Sequence, residues 1–402
     1  MQSRKILRER KAYYERLLRK LSAREGFLLA GIPRFKELFG RDSLISALET
    51  LNVSPNILGN TLRILAKNQG RAIDSVTGEE PGKILHELYS RKWGTKNDEI
   101  SRKQKFPKPD VAYFYSIDST PLFVIGAEEY YKATHDRDLI GEILHNIVSA
   151  VDWIVRYGLK DGLLVYNRDM YGRQLASMCW KDGCWGVYDG LDGDIAAVEV
   201  QSYTYRALEG FMEIAKRFDT GYNTGILKGL LKKLHESTDG RMWMEEIGAY
   251  SPALSLKDGK RITSLTSSQG HLLYSGIINN TMADKVVKSL FGDSMLTKYG
   301  IRTTAAGDPY FDEKEYQKGS VWFNDNWFIA KGLQTRGYAD EYSELRKRIL
   351  DYVIEKKYPL EYIGMSRKGR MMDEKGLTVK PCRVQAWTVG AFLDLINEEL
   401  TL

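Results

Sequence analysis

Helical periodicity recurs along the whole chain, and no βαβ alternation interrupts it. Ile6, Leu7, Tyr13, Tyr14, Leu17, Leu18 and Leu21 form a first amphipathic stripe. The spacing predicts further helices over 43–51, 56–68, 120–134, 138–157, 198–218, 224–236, 270–277, 283–291, 321–336, 341–355 and 383–400. These twelve or so segments are separated by loops rich in Gly, Pro, Asp and Asn, so helices must bury their faces against other helices.

The predicted helices are of two kinds. Some are apolar almost all round, such as Leu122-Phe-Val-Ile-Gly-Ala127 and Ala386-Trp-Thr-Val-Gly-Ala-Phe392, and others carry a charged face, such as 341–355. Alternating inner and outer helices produce that pattern, as in a toroid of helical hairpins. A tandem solenoid is the competing architecture, but no fixed period of repeating residues is present. With no convincing linker, the chain is read as one domain over 1–402, with 1–26 as an N-terminal helical segment. Residues 162–166 (Gly-Leu-Leu-Val-Tyr) are read as part of a local hairpin, and the lysine-rich 93–109 as the mobile stretch.

Composition narrows the partners. The 402 residues are 43% apolar and 28% charged, ordinary for a globular chain; the 24 Tyr, 13 Phe and 8 Trp are mostly core filler, and composition alone leaves open whether some serve as ring faces in a sugar-binding cleft. A net charge of +6 spread over 59 basic and 53 acidic residues is no nucleic-acid footprint. Cys179, Cys184 and Cys382 form an odd set without framework spacing. No secretory h-region and no membrane-length apolar run is present, so the chain reads as cytosolic. Five His without a ligand spacing predict no metal, and no cofactor is expected. Nothing in the sequence speaks to oligomeric state.

Chemistry concentrates at the junctions entering the helices: Phe39-Gly-Arg-Asp-Ser43, Glu79–Glu87, Cys179-Trp-Lys-Asp-Gly183, Gly319–Asn326 and Tyr358-Pro-Leu-Glu-Tyr362. Singly, each has a plain reading: Asp42 and Asp325 as N-caps, Glu361 as a solvated turn. Together, and in this order, they resemble the glycogen-debranching (amylo-α-1,6-glucosidase-type) family and, more distantly, glucoamylases, trehalases and mannosylglycerate hydrolases. The resemblance also rests on Ala30-Gly-Ile-Pro33, Asp118-Ser-Thr-Pro-Leu-Phe123, Glu199-Val-Gln-Ser-Tyr203, Ser264-Leu-Thr-Ser267, Gly270-His-Leu-Leu273, Gly300-Ile-Arg-Thr303 and Gln385-Ala-Trp387. It implies an all-α (α/α)6 toroid with the active site in a funnel at one end. Larger relatives add a β-rich N-terminal domain; the matching region here starts near residue 27, so that domain is not expected.

The resemblance implies Asp182 as general acid and Glu361 as general base of an inverting glycosidase, with carboxyls roughly 6.5–9.5 Å apart. Asp182 lies among Trp180, Cys184 and Trp185, where desolvation keeps a carboxyl protonated, while Lys181 opposes that unless its ammonium points away. Arg41 and Asp42 resemble a pair that grips sugar hydroxyls, and Trp180, Trp322 and Trp387 are candidate ring platforms. Lys83, His86, Glu87, Lys181 and Gln201 complete the expected substrate-binding set, with Glu199 and His271 as weaker candidates. Many debranching-type relatives carry a second Asp where Trp185 stands; were that one the acid, Asp189, Asp192 or Asp194 would have to replace it. The expected activity is exo-acting cleavage of an α-glucan or small α-glucoside. The alternatives are hydrolysis of glucosyl- or mannosylglycerate-type solutes, a phosphorylase, and a non-catalytic sugar-binding toroid.

Overall fold

In the computed structural model, residues 2–89, 111–168, 175–184 and 186–401 are described. Trp185 and the expected mobile stretch 93–109 lie outside them. Among the described residues there are eleven α-helices: α1 (Gln2–Leu21), α2 (Gly40–Glu49), α3 (Pro55–Lys67), α4 (Ser119–Thr134), α5 (Arg137–Trp153), α6 (Val198–Ala215), α7 (Gly225–Met242), α8 (Asn280–Leu290), α9 (Phe323–Arg336), α10 (Ala339–Glu355) and α11 (Ala386–Thr401). A twelfth element, Ser267–Tyr274, is a 3-10 helix rather than the α-helix expected at 270–277. Its Ser, Ser and Gly are poor helix formers, and Gly270 lies so close to α9 that a Cβ would sit 2.7 Å from Ile329 Cγ1.

Six elements form a closed inner ring. α2 packs on α4, α4 on α6, α6 on the 3-10 helix, the 3-10 helix on α9, α9 on α11, and α11 back on α2. The remaining helices lie outside: α3 against α2 and α4, α5 against α4, α7 against α6, α8 against the 3-10 helix, and α10 against α9 and α11. α1 closes the outer layer against α10 and α11. Outer and inner elements alternate strictly along the chain, which is the (α/α)6 toroid. Sequence accounts for the layering. Ser119–Glu128 of α4 and Ala386–Ile396 of α11 are buried on every face, whereas α8 buries only Ala283, Val286, Val287 and Leu290, spaced three and four apart. Among the described residues, no helix is long and apolar enough to cross a membrane.

Short antiparallel ladders tie together the segments that enter the inner ring. Gly31–Ile32 pairs with Val384–Gln385, ahead of α11. Leu38–Phe39, ahead of α2, pairs with Glu87–Tyr89, which pairs in turn with Val111–Tyr113. Asp194–Ala197, ahead of α6, lies between Tyr166–Asn167 and Ala253–Ser255. The predicted hairpin is present as Leu159–Lys160 against Leu163–Leu164. All these ladders therefore gather at the end of the toroid where the inner helices begin.

Candidate active site

At that end a pocket is lined by Phe35, Phe39, Arg41, Asp42, His86, Trp180, Asp182, Tyr316, Gln317, Trp322, Glu361, Gln385 and Trp387. It holds about 480 Å³ of atom-free space, counted out to its open mouth. Asp182 and Glu361 both face it.

Asp182 sits in the turn 180–183, and its Oδ2 accepts from Arg41 Nη1 at 3.1 Å. Arg41, from the first turn of α2, is buried; its Nε lies 3.2 Å from Asp118 Oδ2, and its Nη1 also donates to the Cys179 carbonyl at 3.0 Å. One guanidinium thus links the carboxylate ahead of α4 to the one ahead of α6. Burial pushes the Asp182 carboxyl up to about 6; Arg41 opposes the rise, and Asp118 and Glu361 add to it. The Lys181 ammonium points away from the pocket, donating to Ser267 Oγ at 3.3 Å and the Thr303 carbonyl at 3.1 Å. Its expected opposition to a protonated Asp182 is thereby removed, and so is its expected place against the substrate.

Glu361 is held differently. Its Oε2 accepts from Arg34 Nη2 at 3.0 Å and from the Cys382 amide at 2.7 Å, and its Oε1 accepts from the Tyr316 hydroxyl. Burial raises its pKa, while these three donors favour the ionised form. Asp42, third in α2, does not cap the helix. It faces the pocket near Gln385 Nε2 at 3.5 Å, and burial pushes it up to about 7 against the pull of Arg41.

Aromatic walls complete the pocket. Trp180 and Trp322 meet edge to face with centroids 5.7 Å apart, and Trp322 and Trp387 do so at 5.8 Å. The indole Nε1 atoms of Trp180 and Trp387 are buried without a hydrogen-bond partner. His86 lies 3.3 Å from Arg41 Nη2 through Nδ1, and burial together with Arg41 lowers its pKa, so it stays neutral.

Other expected residues are placed elsewhere. Lys83 is buried beside Glu80 at 3.1 Å and lines a separate small cavity with Trp153 and Tyr166. Glu87 lies behind the lining, its Oε2 accepting from Tyr113 Oη at 2.8 Å. The Gln201 carboxamide is consumed by backbone, accepting from the Leu164 amide at 2.8 Å and donating to the Leu164 and Ala197 carbonyls. Glu199 and His271 are buried beneath the acid turn, where His271 Nε2 meets Asp325 Oδ1 at 2.6 Å; Asp325 serves that contact and is no N-cap. Asp189 pairs with Arg168 at 3.0 Å and Asp194 with Lys160 at 2.9 Å, and neither these nor Asp192 lines the pocket. Arg34, Phe35, Tyr316, Gln317 and Gln385 escaped sequence reasoning as site residues, although Gln385 belongs to the Gln385-Ala-Trp387 motif and the loop holding Tyr316 runs straight into Gly319–Asn326. Among the described residues, no group of three or more His, Cys, Asp or Glu is placed to hold a metal ion.

Three carboxyls face one ring-lined pocket: Asp182 and Asp42, lifted by burial to about 6 and about 7, and Glu361, surrounded by donors. That arrangement can protonate a leaving oxygen and deprotonate a water. Comparison with known proteins narrows the family. The mannosylglycerate hydrolase of Rubrobacter radiotolerans is 23% identical over 197 residues, 48% of this chain and 42% of that protein. Mannosylglycerate hydrolase MGH2 of Selaginella moellendorffii is 29% identical over 82 residues, 20% of this chain and 17% of that protein. The matches thus span less than half the length of these curated relatives. The GH63 mannosylglycerate hydrolase of Thermus thermophilus, solved with glucose, superposes with a TM-score of 0.70 at 17% identity, covering 96% of this chain and 99% of that one. The same enzyme solved with Tris and D-glycerate gives 0.70 at 17%, covering 98% and 100%. These likenesses establish the toroid. The family model of the mannosylglycerate hydrolase MGH1-like glycoside hydrolase domain matches residues 38–364, so it is to this glycoside hydrolase family, rather than specifically to the glycogen-debranching proteins, that the chain belongs.

Proposed function

We propose that the chain is an inverting α-glycosidase that removes a terminal sugar from a small solute of the mannosyl- or glucosylglycerate type. Asp182 protonates the glycosidic oxygen and Glu361 draws a proton from the attacking water. Arg41, Asp42 and His86 surround the non-reducing sugar, and Trp180, Trp322 and Trp387 offer ring faces. The reading rests above all on one observation: Asp182 and Glu361 line the same pocket, and the charge of Glu361 helps to keep Asp182 protonated across it.

The small, anionic aglycone is favoured over an α-glucan by the family match and by the pocket rim. Arg34, with its side chain 41% exposed, is a cation beside Glu361 and Phe35. Its guanidinium can meet a carboxylate at the mouth while still ordering the base. The test is sugar release from mannosylglycerate, glucosylglycerate, maltose, isomaltose, maltooligosaccharides, trehalose and kojibiose, with the product anomer followed by NMR. Release of the inverted anomer from a glycerate glycoside supports the proposal. Turnover of maltooligosaccharides alone would transfer the assignment to the exo-acting α-glucosidase. Sugar binding with no turnover of any of them would identify a non-catalytic toroid.

A further inference from the structure

Tyr316 and Gln317 are neighbours in one loop, and between them they reach both carboxyl-bearing segments of the pocket. Gln317 Nε2 donates to the Trp180 carbonyl at 2.8 Å, and its Oε1 accepts from the Gly183 amide at 2.9 Å. The carboxamide therefore closes both ends of the turn that carries Asp182. The Gln317 carbonyl also accepts from Cys184 Sγ at 3.3 Å. The Tyr316 hydroxyl, in turn, donates to Glu361 Oε1.

The loop is pinned at its base. Phe311 is flanked by two guanidiniums, Arg302 at 5.4 Å and Arg367 at 4.9 Å from the ring centroid. Gly319 has φ +134°, and a Cβ there would lie 2.4 Å from Phe311, so the exit from the loop admits only glycine. The Tyr316 carbonyl accepts from Ser320 Oγ at 2.6 Å and from Trp322 Nε1 at 3.2 Å. Gly183 leaves room for the Tyr316 ring, since a Cβ would fall 2.7 Å from its Cδ1.

We propose that Tyr316 and Gln317 are positioning residues forming a single brace that sets acid and base relative to each other: Gln317 clamps the Asp182 turn, and Tyr316 holds the Glu361 carboxylate. The brace rests on the glycosidase reading above. Its chemistry is specific. A carboxamide carries a donating and an accepting end, and the turn uses both, so Glu at 317 would lose the bond to the Trp180 carbonyl. A phenol beside a carboxylate donates to the ionised form and lowers its pKa. Glu361 is also faced by Arg34 and the Cys382 amide, with Asp182 and Asp42 acting across the pocket and Tyr362 adjacent.

The test compares Gln317→Ala, Gln317→Glu and Tyr316→Phe on the O-glycoside that the wild type hydrolyses and on the matching α-glycosyl fluoride. Fluoride departs with little proton assistance, but water still needs the base. Gln317→Ala should lower kcat on the O-glycoside by about 10²-fold and on the fluoride at least roughly tenfold less, with Gln317→Glu intermediate. Tyr316→Phe should lower kcat about tenfold on both substrates and move the acidic limb of kcat/KM to higher pH. Equal losses on both substrates in the Gln317 variants, with the limb unmoved in Tyr316→Phe, would mean packing alone and would overturn the brace. If the wild type turns over no sugar, the glycosidase reading fails. The brace is then judged by ¹³C NMR of Glu-labelled protein: a higher Glu361 midpoint in Tyr316→Phe supports it, and an unchanged midpoint overturns it.

Discussion

Asp182 and Glu361 line the same pocket, and their surroundings differ in kind. Asp182 has one ionic partner, Arg41, which it shares with Asp118, and burial lifts it to about 6. Glu361 has three donors from three segments: Arg34, Tyr316 and the Cys382 amide. Burial raises both carboxyls; at Asp182 a shared counter-charge opposes the rise only in part, whereas at Glu361 three donors favour the ionised form. These surroundings support the proposed roles, acid for Asp182 and base for Glu361, while Asp42, raised further to about 7, is the third carboxyl of the pocket.

The comparison breaks most directly under substitution. Glu361→Gln should cost about 10⁴-fold in kcat on any glycoside, because water activation is lost whatever departs. Asp182→Asn should cost about 10²–10⁴-fold on an O-glycoside and far less on a glycosyl fluoride. Steady-state kinetics on both substrate types reads the split. Equal sensitivity of the two variants to leaving group would dissolve the distinction between the two carboxyls.

Arg41→Met leaves the donors of Glu361 in place and attacks the acid side, together with the Arg41 contacts to His86 and Asp42. It strands the buried Asp118, leaving that carboxylate the Ser116 Oγ donor at 2.6 Å. Removing one member of a buried ion pair costs about 3–5 kcal/mol, and denaturant unfolding should register that loss. In the folded fraction, Asp182 loses the charge that lowers its pKa, so the alkaline limb of the activity profile should move to higher pH. An unchanged limb would mean that Arg41 serves stability alone.

Much of this is legible in the amino-acid sequence. Periodicity places the twelve elements of the toroid, one of them a 3-10 helix rather than the expected α-helix, because an inner helix buried on every face and an outer helix buried on one leave different patterns. Motif order brings Arg41, Asp42, Trp180, Asp182, Trp322, Glu361 and Trp387 to one pocket. Conversely, what sequence missed lay where contacts are made by shape rather than by residue type. Lys83 and Gln201 are the sort of polar residue a sugar site uses, but each is engaged elsewhere: Lys83 by Glu80, Gln201 by the backbone at Leu164 and Ala197. Tyr316 and Gln317 reach the site through three side-chain hydrogen bonds to segments more than forty residues distant in sequence, which no local pattern announces.

The activity profile sharpens the comparison further. Asp182 must be protonated, so kcat/KM should fall about tenfold per pH unit above its pKa of about 6. Glu361 must be ionised, so activity should also fall below its own pKa, which burial sets above the usual 4.5. The optimum therefore belongs on the acid side of neutrality. A flat profile from pH 6 to 8 would contradict the assignment of Asp182.

The smallest effect separates the carboxyls of the pocket by stability rather than by rate. Asp42 has a folded pKa of about 7 against 3.8 when unperturbed, so between those values the folded chain binds more protons than the unfolded one. Stability contributed by that proton is fully present below pH 3.8 and is lost as pH rises through 7. Asp42→Asn should consequently stabilise the protein at pH 8 by about 1–2 kcal/mol, after allowing for screening at the open pocket, and much less at pH 4.5. Glu361→Gln should show no such gain. Its three donors face a carboxylate, and an amide nitrogen turned toward the Cys382 N–H or Arg34 leaves one of them unanswered. Urea unfolding of both variants at the two pH values measures the difference. If Asp42→Asn destabilised equally at both, the Asp42 carboxylate would be a structural acceptor, and the cost of charge in the pocket would rest on Asp182 and Glu361 alone.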